Sequence, residues 1–333
     1  MKTYQWGILS TANIGRKAMI PALQESSMAE VLAVASRDEE KAKNFADELD
    51  IPRAYGDYQA LLADPAIDAV YIPLPNHLHR EWAVRAAEAG KHVLCEKPLA
   101  LDPSECRQMI AAAEANKVQL TEAFMYRYHP RILASREMIH SGAIGKVRTI
   151  ESAFTFRLSD LNNIRYQPEM GGGALMDVGC YCINVSRLLA GREPVTAQAR
   201  AYWAPTGVDA QLAGMLDFGD GLLAHFDCGL NQARRERCLV AGTEGYLTLP
   251  KTFIPGPDEA VIYEEKGREI SEQHTFADVN HYRLLAEDFM HTIDGSVPLF
   301  PIEDAVDNMR VIVALLASAR DDGRVVSLSR DSV

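Results

Sequence analysis

Apolar and polar segments alternate along the first 125 residues of the chain. Short runs rich in valine, isoleucine, leucine and alanine, such as "EVLAVAS" and "DAVYIPLP", are typical of strands buried on both faces of a sheet. The segment "DEEKAKNFADELD" has helical character, with acidic residues in the first turn that favour the positive end of the helix dipole. Strands are predicted at 4–9, 30–36, 68–75, 92–97 and 118–124, and helices at 14–25, 38–50, 77–89 and 102–116. This alternation predicts a parallel sheet with helices on both faces.

A different pattern follows residue 127. A long alternating strand is predicted at 147–156, and later strands are separated by "GDG" and "TEG", which are hairpin signals. Further helices are predicted at 129–141, over "ALMDVGCYCINVSRLL" after the glycines 171–173, at 278–294 and at 302–321. We therefore predict an α/β chain of two domains, 1–127 and 128–333, the second being α+β with a mainly antiparallel sheet.

Length and charge narrow the class of protein. The 333 residues are 47% hydrophobic and 24% charged, as in soluble globular proteins, and are enough for two domains. The net charge of −12 argues against a nucleic-acid partner, which would require a basic surface. No apolar run approaches the roughly 18 residues of a membrane span. Lys2 is followed at once by polar and strand-like residues, so we expect no signal peptide and a cytoplasmic location.

Cysteine and histidine positions do not predict a metal site. The six cysteines lack paired C-x-x-C spacing and lie mostly in apolar segments, so reduced and buried thiols are expected. A metal or redox role for Cys180 and Cys182 is the alternative. His77 and His79 have no carboxylate at ligand spacing, and we predict no metal there.

The segment "GILSTANIG" occupies the place of a dinucleotide-binding loop, between the first strand and the first helix. Where G-x-G-x-x-G is usual, the three glycine positions read Ser10, Ala12 and Gly15. Ser10 and Ala12 are small enough for a pyrophosphate to approach, and Thr11 and Asn13 add donors beside the helix N-terminus. Taken alone, the segment fits an ordinary strand–turn–helix equally well.

The end of the second predicted strand favours NADP. NAD-selective proteins usually have an acidic residue here that binds the ribose 2′-hydroxyl. This chain has Ser36 and Arg37 instead, and an arginine fork suits the 2′-phosphate of NADP. The alternative is a surface arginine at a strand end.

Three polar residues are candidates for chemistry. Lys97, in "CEKPL", falls at the carboxyl end of a predicted parallel strand, where open α/β sheets bind ligands. Asp177 and Tyr181 lie four residues apart, on one face of an otherwise apolar helix. Each has a structural alternative: a lysine whose stem packs on apolar surface, an aspartate favoured by the helix dipole, and a tyrosine with its hydroxyl at the surface.

Four segments together resemble one family. "GKHVLCEKPLAL", "DAVYIPLPNHLH", "EAFMYRYHP" and "GGGALMDVGCYCIN" are similar, in the same order, to segments of the Gfo/Idh/MocA oxidoreductases. The "STA" loop resembles the branch that holds glucose–fructose oxidoreductase, dimeric dihydrodiol dehydrogenase, NADP-dependent xylose dehydrogenase and some 3-ketosugar reductases. Tyr181 replaces the histidine of inositol dehydrogenases, which argues against inositol as the substrate.

The resemblance implies a Rossmann domain, then a domain with a large open-faced sheet that serves substrate binding and oligomerisation. It implies hydride transfer between NADP(H) and a carbinol or carbonyl carbon of a sugar, polyol or cyclic diol. It assigns catalysis to Lys97, Asp177 and Tyr181. The cofactor contacts that we carry over from the family and the loop are Ser10, Thr11, Ala12, Asn13, Ile14, Ser36, Arg37, Leu74, Asn76, His79, Glu96, Lys97 and Arg165. Ile164 replaces the tryptophan that usually precedes this arginine.

Several alternatives remain open at this stage. The same scaffold serves a non-catalytic NADP-binding regulator, or a transhydrogenating oxidoreductase that never releases its cofactor. Either Tyr181 or Lys97 could carry the proton, in a cleft expected between the two domains. A homodimer or a dimer of dimers is expected, because the strand "QLAGMLDF" carries apolar residues on both faces.

Overall fold

Two units divide the chain in the computed structural model, which describes residues 2–256, 258–267 and 269–328. The first unit combines the residues up to Met125 with Asn280–Val306. The second combines Tyr126–Val279 with the residues from Asp307 onward. The segment 280–306 therefore lies in the first unit, whereas the sequence analysis assigned it to the second domain.

A six-stranded sheet forms the centre of the first unit, in the order β3-β2-β1-β4-β5-β6, with every neighbouring pair parallel. Its strands are β1 Tyr4–Leu9, β2 Ala29–Ala35, β3 Arg53–Tyr55, β4 Ala69–Ile72, β5 His92–Glu96 and β6 Leu120–Ala123. This is the strand order of a doubly wound dinucleotide-binding fold, and it confirms the predicted fold class. The three-residue β3 was not predicted, because it is too short to show periodicity.

Helices flank this sheet. They are α1 Ile20–Glu25, preceded by a π-helical turn at Gly15–Met19, α2 Glu39–Glu48, α3 Tyr58–Leu62, α4 His79–Glu88 and α5 Pro103–Asn116. Of these, α2, α3 and α5 begin at aspartate caps. The Asp38 carboxylate accepts from the amide of Lys41, and the Asp102 carboxylate accepts from the amides of Ser104 and Glu105. These caps fix where α2 and α5 begin.

A late helix completes the first unit. This helix, α8, spans His281–Ile293. Its Phe289 ring lies 5.3 Å from the ring of the fully buried Trp6 on β1, and Tyr4 donates to Asp294 at 2.6 Å. Burial of these large aromatic side chains explains why this segment joins β1 rather than the antiparallel sheet.

The second unit contains a nine-stranded sheet in the order β14-β13-β12-β11-β7-β10-β9-β8-β15. Its strands are β7 Val147–Arg157, β8 Thr196–Trp203, β9 Asp209–Asp217, β10 Leu223–Gly229, β11 Asn231–Gly242, β12 Tyr246–Pro250, β13 Ala260–Lys266, β14 Glu269–Phe276 and β15 Val326–Ser327. Neighbours are antiparallel except β7 and β10, which are parallel, so the predicted mainly antiparallel sheet is confirmed. The β13–β14 hairpin was missed, because β14 is exposed along most of its length and shows no apolar alternation.

One face of this sheet is covered within the chain and the other is not. The helices of this part of the chain are α6 Pro130–His140, α7 Cys180–Ala190 after a π-helical turn at Leu175–Gly179, and α9 Glu303–Arg320. Leu212 and Leu216 of β9 are fully buried, whereas the alternating Met215 is 42% exposed. The single chain therefore has an open sheet face.

Two further features concern the whole described chain. All six cysteines are free and buried, as predicted. Among the described residues, no helix combines the length and the apolar character needed to cross a bilayer.

Candidate active site

The loop after β1 has the backbone of a phosphate-binding turn. Ser10 adopts φ 132°, a region that favours glycine, at the position of the first glycine of the fingerprint. Holding a serine there costs on the order of 1–3 kcal/mol, and such strain is typical of ligand-binding loops. Ser10, Thr11 and Ala12 are half-buried, while Asn13 and Ile14 are exposed. Their groups are therefore available to a dinucleotide in this loop.

Gly15, at the third glycine position of the fingerprint, has room for a side chain. A Cβ at Gly15 would lie 3.8 Å from the nearest side-chain atoms of Ile20 and Tyr71, which is ordinary van der Waals contact. The glycine is thus not required there for close packing of helix on strand, and the backbone of Ser10 is the stronger sign of a phosphate loop.

The end of β2 places Arg37 at the surface. Ser36 is 7% exposed, and its Oγ accepts from the amide of Asp38 at 3.3 Å. Arg37 is exposed and hydrogen-bonds to Tyr58; burial raises the pKa of Tyr58, and Arg37 opposes that rise. Asp38, the nearest acidic residue, is occupied as the cap of α2. The charge offered at this strand end is therefore positive.

Lys97 lies where the sequence predicted, directly after the carboxyl end of β5. The preceding Glu96 accepts from the Tyr71 hydroxyl of β4 at 2.5 Å, and its other carboxylate oxygen accepts from the amide of Lys97 at 3.3 Å. Lys97 itself is partly exposed. Leu74, after β4, is buried and Asn76 is partly exposed. The Glu96–Tyr71 contact fixes the backbone from which Lys97 projects.

His79, predicted from the sequence as a cofactor contact, is a buried histidine. It is fully buried, and its ring nitrogens lie 3.0 Å from the Pro98 carbonyl oxygen and 2.8 Å from the Leu74 carbonyl oxygen. Burial lowers the pKa of His79. A neutral imidazole carries one N–H, so His79 donates to one of these carbonyl oxygens and only contacts the other, between the loop after β4 and the loop after β5.

Asp177 and Arg165 form an ion pair in the second unit. Arg165 donates from Nε to Oδ2 of Asp177 at 2.6 Å, and Asp177 raises the pKa of Arg165. Asp177 lies within the π-helical turn that precedes α7, a winding often found at functional sites. The sequence analysis selected both residues but gave them separate roles.

Tyr181, in the first turn of α7, is 5% exposed and surrounded by aromatic rings. The ring centroids of Phe154, Phe253 and Tyr126 lie 5.4, 5.3 and 5.8 Å from that of Tyr181. The hydroxyl of Tyr126 donates to Oδ1 of Asn184 at 2.6 Å. These contacts hold the orientation of the Tyr181 ring.

Arg131 supports this cluster, and the sequence analysis did not select it. The fully buried Arg131 donates to the carbonyl oxygens of Pro250, Lys251 and Thr252 at 2.8–2.9 Å, and burial lowers its pKa to about 10. The segment that it holds leads directly to Phe253. An arginine in a helix with no local partner carries no sequence signal for such a role.

Comparison with known protein families identifies both parts of the chain. Residues 4–124 match the family model described as an oxidoreductase family with an NAD-binding Rossmann fold. Residues 132–248 match the GFO/IDH/MocA C-terminal domain.

Individual proteins match over most of the chain. The chain is 40% identical to D-xylose 1-dehydrogenase (NADP(+)) 2 of Haloferax volcanii, over 97% of this chain and 99% of that protein. It is 35% identical to trans-1,2-dihydrobenzene-1,2-diol dehydrogenase of Xenopus laevis, over 83% of each chain. The crystal structure of KijD10, a 3-ketoreductase from Actinomadura kijaniata in complex with NADP and TDP-benzene, matches with a TM-score of 0.89 and 29% identity, covering 95% of this chain and 98% of that chain.

Proposed function

The chain belongs to the Gfo/Idh/MocA oxidoreductase family, and from this premise we propose hydride transfer between NADP(H) and a carbinol or carbonyl carbon of a sugar, polyol or cyclic diol. The similar proteins are dehydrogenases and reductases, one named for xylose, one for a cyclic diol and one for a ketoreductase. The observation that carries the proposal is Lys97, at the carboxyl end of β5 in a sheet of dinucleotide-binding order.

The residues of the first unit fit NADP. The glycine-like backbone of Ser10 leaves room for a pyrophosphate, with Thr11 and Asn13 as donors. Arg37, at the end of β2, suits the 2′-phosphate and has no acidic competitor, since Asp38 caps α2. When bound, NADP(H) accepts or supplies the hydride. Glu96 and Lys97 lie at the same edge of the sheet, and we assign Glu96 the role of fixing the backbone around Lys97.

We propose that Tyr181 is the residue that accepts or donates the proton. When a carbinol is oxidised, its hydroxyl proton passes to the Tyr181 oxygen as the hydride leaves the carbon, and reduction reverses both transfers. An isolated phenol, with a pKa near 10, is poorly matched to neutral pH, and a neighbouring ammonium favours the phenolate. We propose that Lys97 supplies this charge. The alternative is that Lys97 carries the proton and Tyr181 only hydrogen-bonds to the substrate.

Asp177 and Arg165 act as one unit in this proposal. The ion pair with Asp177, which lies in the π-helical turn, fixes the Arg165 guanidinium, whose remaining N–H groups are suited to hydroxyl or carboxamide oxygens. The pair therefore orients the reacting groups rather than moving the proton.

We also propose a homodimer, or a dimer of dimers, formed through the open sheet face. Exposed apolar residues on this face include Met215 and Leu223, each 42% exposed, and Tyr202 at 62%. A second copy would cover them. The six free cysteines suit a reducing compartment, which supports a cytoplasmic location.

One assay panel tests the activity. Aldoses and cyclic diols are supplied with NADP⁺, ketosugars with NADPH, and absorbance at 340 nm is followed. We expect turnover of at least one class, and loss of that turnover in Tyr181→Phe. Absence of turnover in every class, by a protein that binds NADPH, would contradict the proposal. Nucleotide released only on denaturation would instead indicate an enzyme that keeps its cofactor between turnovers.

A further inference from the structure

Gly172 and Gly173, which precede the helix of Tyr181, are each closely packed: Gly173 against the Asp209 side chain and Gly172 against the backbone of Arg165. Gly173 has φ +117°, and a Cβ there would lie 2.2 Å from Oδ1 of Asp209. A Cβ at Gly172 would lie 2.6 Å from the carbonyl oxygen of Arg165. The amide of Gly173 donates to that same carbonyl at 2.8 Å. This turn therefore connects the backbone of Arg165 to the start of the helical segment that carries Asp177.

The start of this helical segment lacks a local cap. No side chain caps it at Ala174, and Gly173 has no side chain to offer. The Oδ2 atom of Asp209 accepts from the amide of Leu175 at 2.7 Å instead, from a position 34 residues later in the chain. The amide of Ala174 also bonds to Asp209. A residue on β9 thus satisfies amides that a helix N-terminus leaves open.

The position of the Asp209 carboxylate is unusual because it is buried. Asp209 is 2% exposed, and burial raises the pKa of its carboxyl to about 7. Hydrogen bonds from the backbone amides of Leu175, Asp209 itself and Ala174 oppose this rise, and so does the positive charge of Arg320 on α9. Its neighbour on β10 is the thiol of Cys228, and its register partner on β8 is Trp203. Burying a carboxylate costs free energy unless strong hydrogen bonds compensate. The role of Asp209 therefore lies in the hydrogen bonds that it accepts from backbone amides.

We propose that Asp209 is a positioning residue that fixes the first turn of the catalytic helical segment, and through it the Arg165–Asp177 pair and Tyr181. The link to Asp177 is direct, because its amide donates to the Gly173 carbonyl at 3.0 Å within the turn that Asp209 holds. The proposal rests on the catalytic roles proposed above. A displacement of about 1 Å in such groups can cost about 100-fold in rate.

The test compares Asp209→Ala and Asp209→Asn with Asp217→Asn. Asp217 lies at the other end of β9 and accepts from the amide of Gly219 at 2.7 Å, so it is a matched control outside the site. In Asp209→Ala, we expect kcat to fall by about 10- to 100-fold with KM for NADP unchanged, and amide exchange at residues 174–177 to accelerate. Asp209→Asn keeps a carbonyl acceptor and should restore most of kcat. Asp217→Asn should resemble the wild type in both measurements.

Amide exchange separates this proposal from the catalytic one. Wild-type exchange at 174–177 in folded Asp209→Ala, with unchanged kcat, overturns the positioning role. If Asp209→Ala does not fold, Asp209→Leu, which fills the same space without an acceptor, replaces it: lowered kcat with faster exchange at 174–177 supports the proposal, and wild-type values of both contradict it. Wild-type rates in both Tyr181→Phe and Lys97→Met would instead refute the catalytic roles, whatever the exchange data show.

Discussion

Nε of Arg165 lies 2.6 Å from Oδ2 of Asp177, so the two residues form one ion pair across a glycine turn. Removing either partner breaks this ion pair. We expect Arg165→Ala and Asp177→Asn each to lower kcat/KM by about 10- to 100-fold. The double variant should be no worse than the poorer single variant. A double-mutant cycle measures this, and additive losses would show that the two side chains act independently.

Tyr181→Phe removes only the hydroxyl proposed to carry the proton. We expect kcat to fall by about 10²- to 10⁴-fold while the Kd for NADPH is unchanged. Stopped-flow reduction of a good substrate and fluorescence titration of NADPH give the two values. The control is Tyr246→Phe on β12, which removes a hydroxyl that donates to Glu265 on β13. Near-normal turnover in Tyr181→Phe, together with an inactive Lys97→Met, would assign proton transfer to Lys97 instead.

Arg37→Ala should weaken NADP selectively. The loss of a charge-assisted phosphate contact is worth about 1.5–3 kcal/mol, or roughly one to two decades in KM for NADP. The KM for NAD should barely change. Tyr58→Phe keeps the arginine but removes its hydrogen-bond partner, and should give a smaller rise. Equal rises for both cofactors in Arg37→Ala would contradict this assignment.

His129 should make stability depend on pH. Its Nδ1 accepts from the amide of Arg131 at 3.1 Å as the cap of α6, and burial, together with the Arg131 charge, lowers its pKa to about 4. The folded state thus resists protonation that the unfolded chain accepts near pH 6.5, so the stabilisation is complete above that pH and is lost as pH falls toward 4.

Urea unfolding at pH 7 and pH 5 measures the effect. Between these values, His129 should account for a decrease of about 2 kcal/mol in the free energy of unfolding. His129→Asn keeps a cap acceptor but does not titrate, so its decrease should be smaller by about that amount. Identical pH dependence in the two proteins would rule out His129 as the source.

The open sheet face should mediate self-association. Met215 lies opposite His225 in the β9–β10 register, on the uncovered face. We expect light scattering to give at least a dimer mass, and Met215→Glu to shift it toward a monomer. Val297→Glu, at a position 89% exposed in the first unit, introduces the same charge elsewhere and should not change the mass. A monomeric wild type at micromolar concentration would refute the interface.

Local sequence patterns predicted most helices and strands correctly, but they could not predict contacts between segments that are distant in the chain. The βαβ alternation correctly indicated the parallel sheet, and Lys97 lies at the predicted strand end. The sequence around His79 does not indicate that its ring nitrogens lie beside the carbonyl oxygens of Leu74 and Pro98, because this contact depends on the folded arrangement of two loops. No local sequence pattern indicates the role of Asp209, because the Leu175 amide that donates to its carboxylate lies 34 residues earlier in the chain.

The pairing of Phe289 with Trp6 bears on how the chain is made. During synthesis β1 leaves the ribosome well before α8, which lies far later in the sequence. Until α8 has emerged, Trp6 lacks its contact with Phe289, so the nucleotide-binding unit cannot complete its native packing. A gene cut after residue 125 would consequently yield an incomplete unit, and transplanting this unit into another protein would require both of its segments.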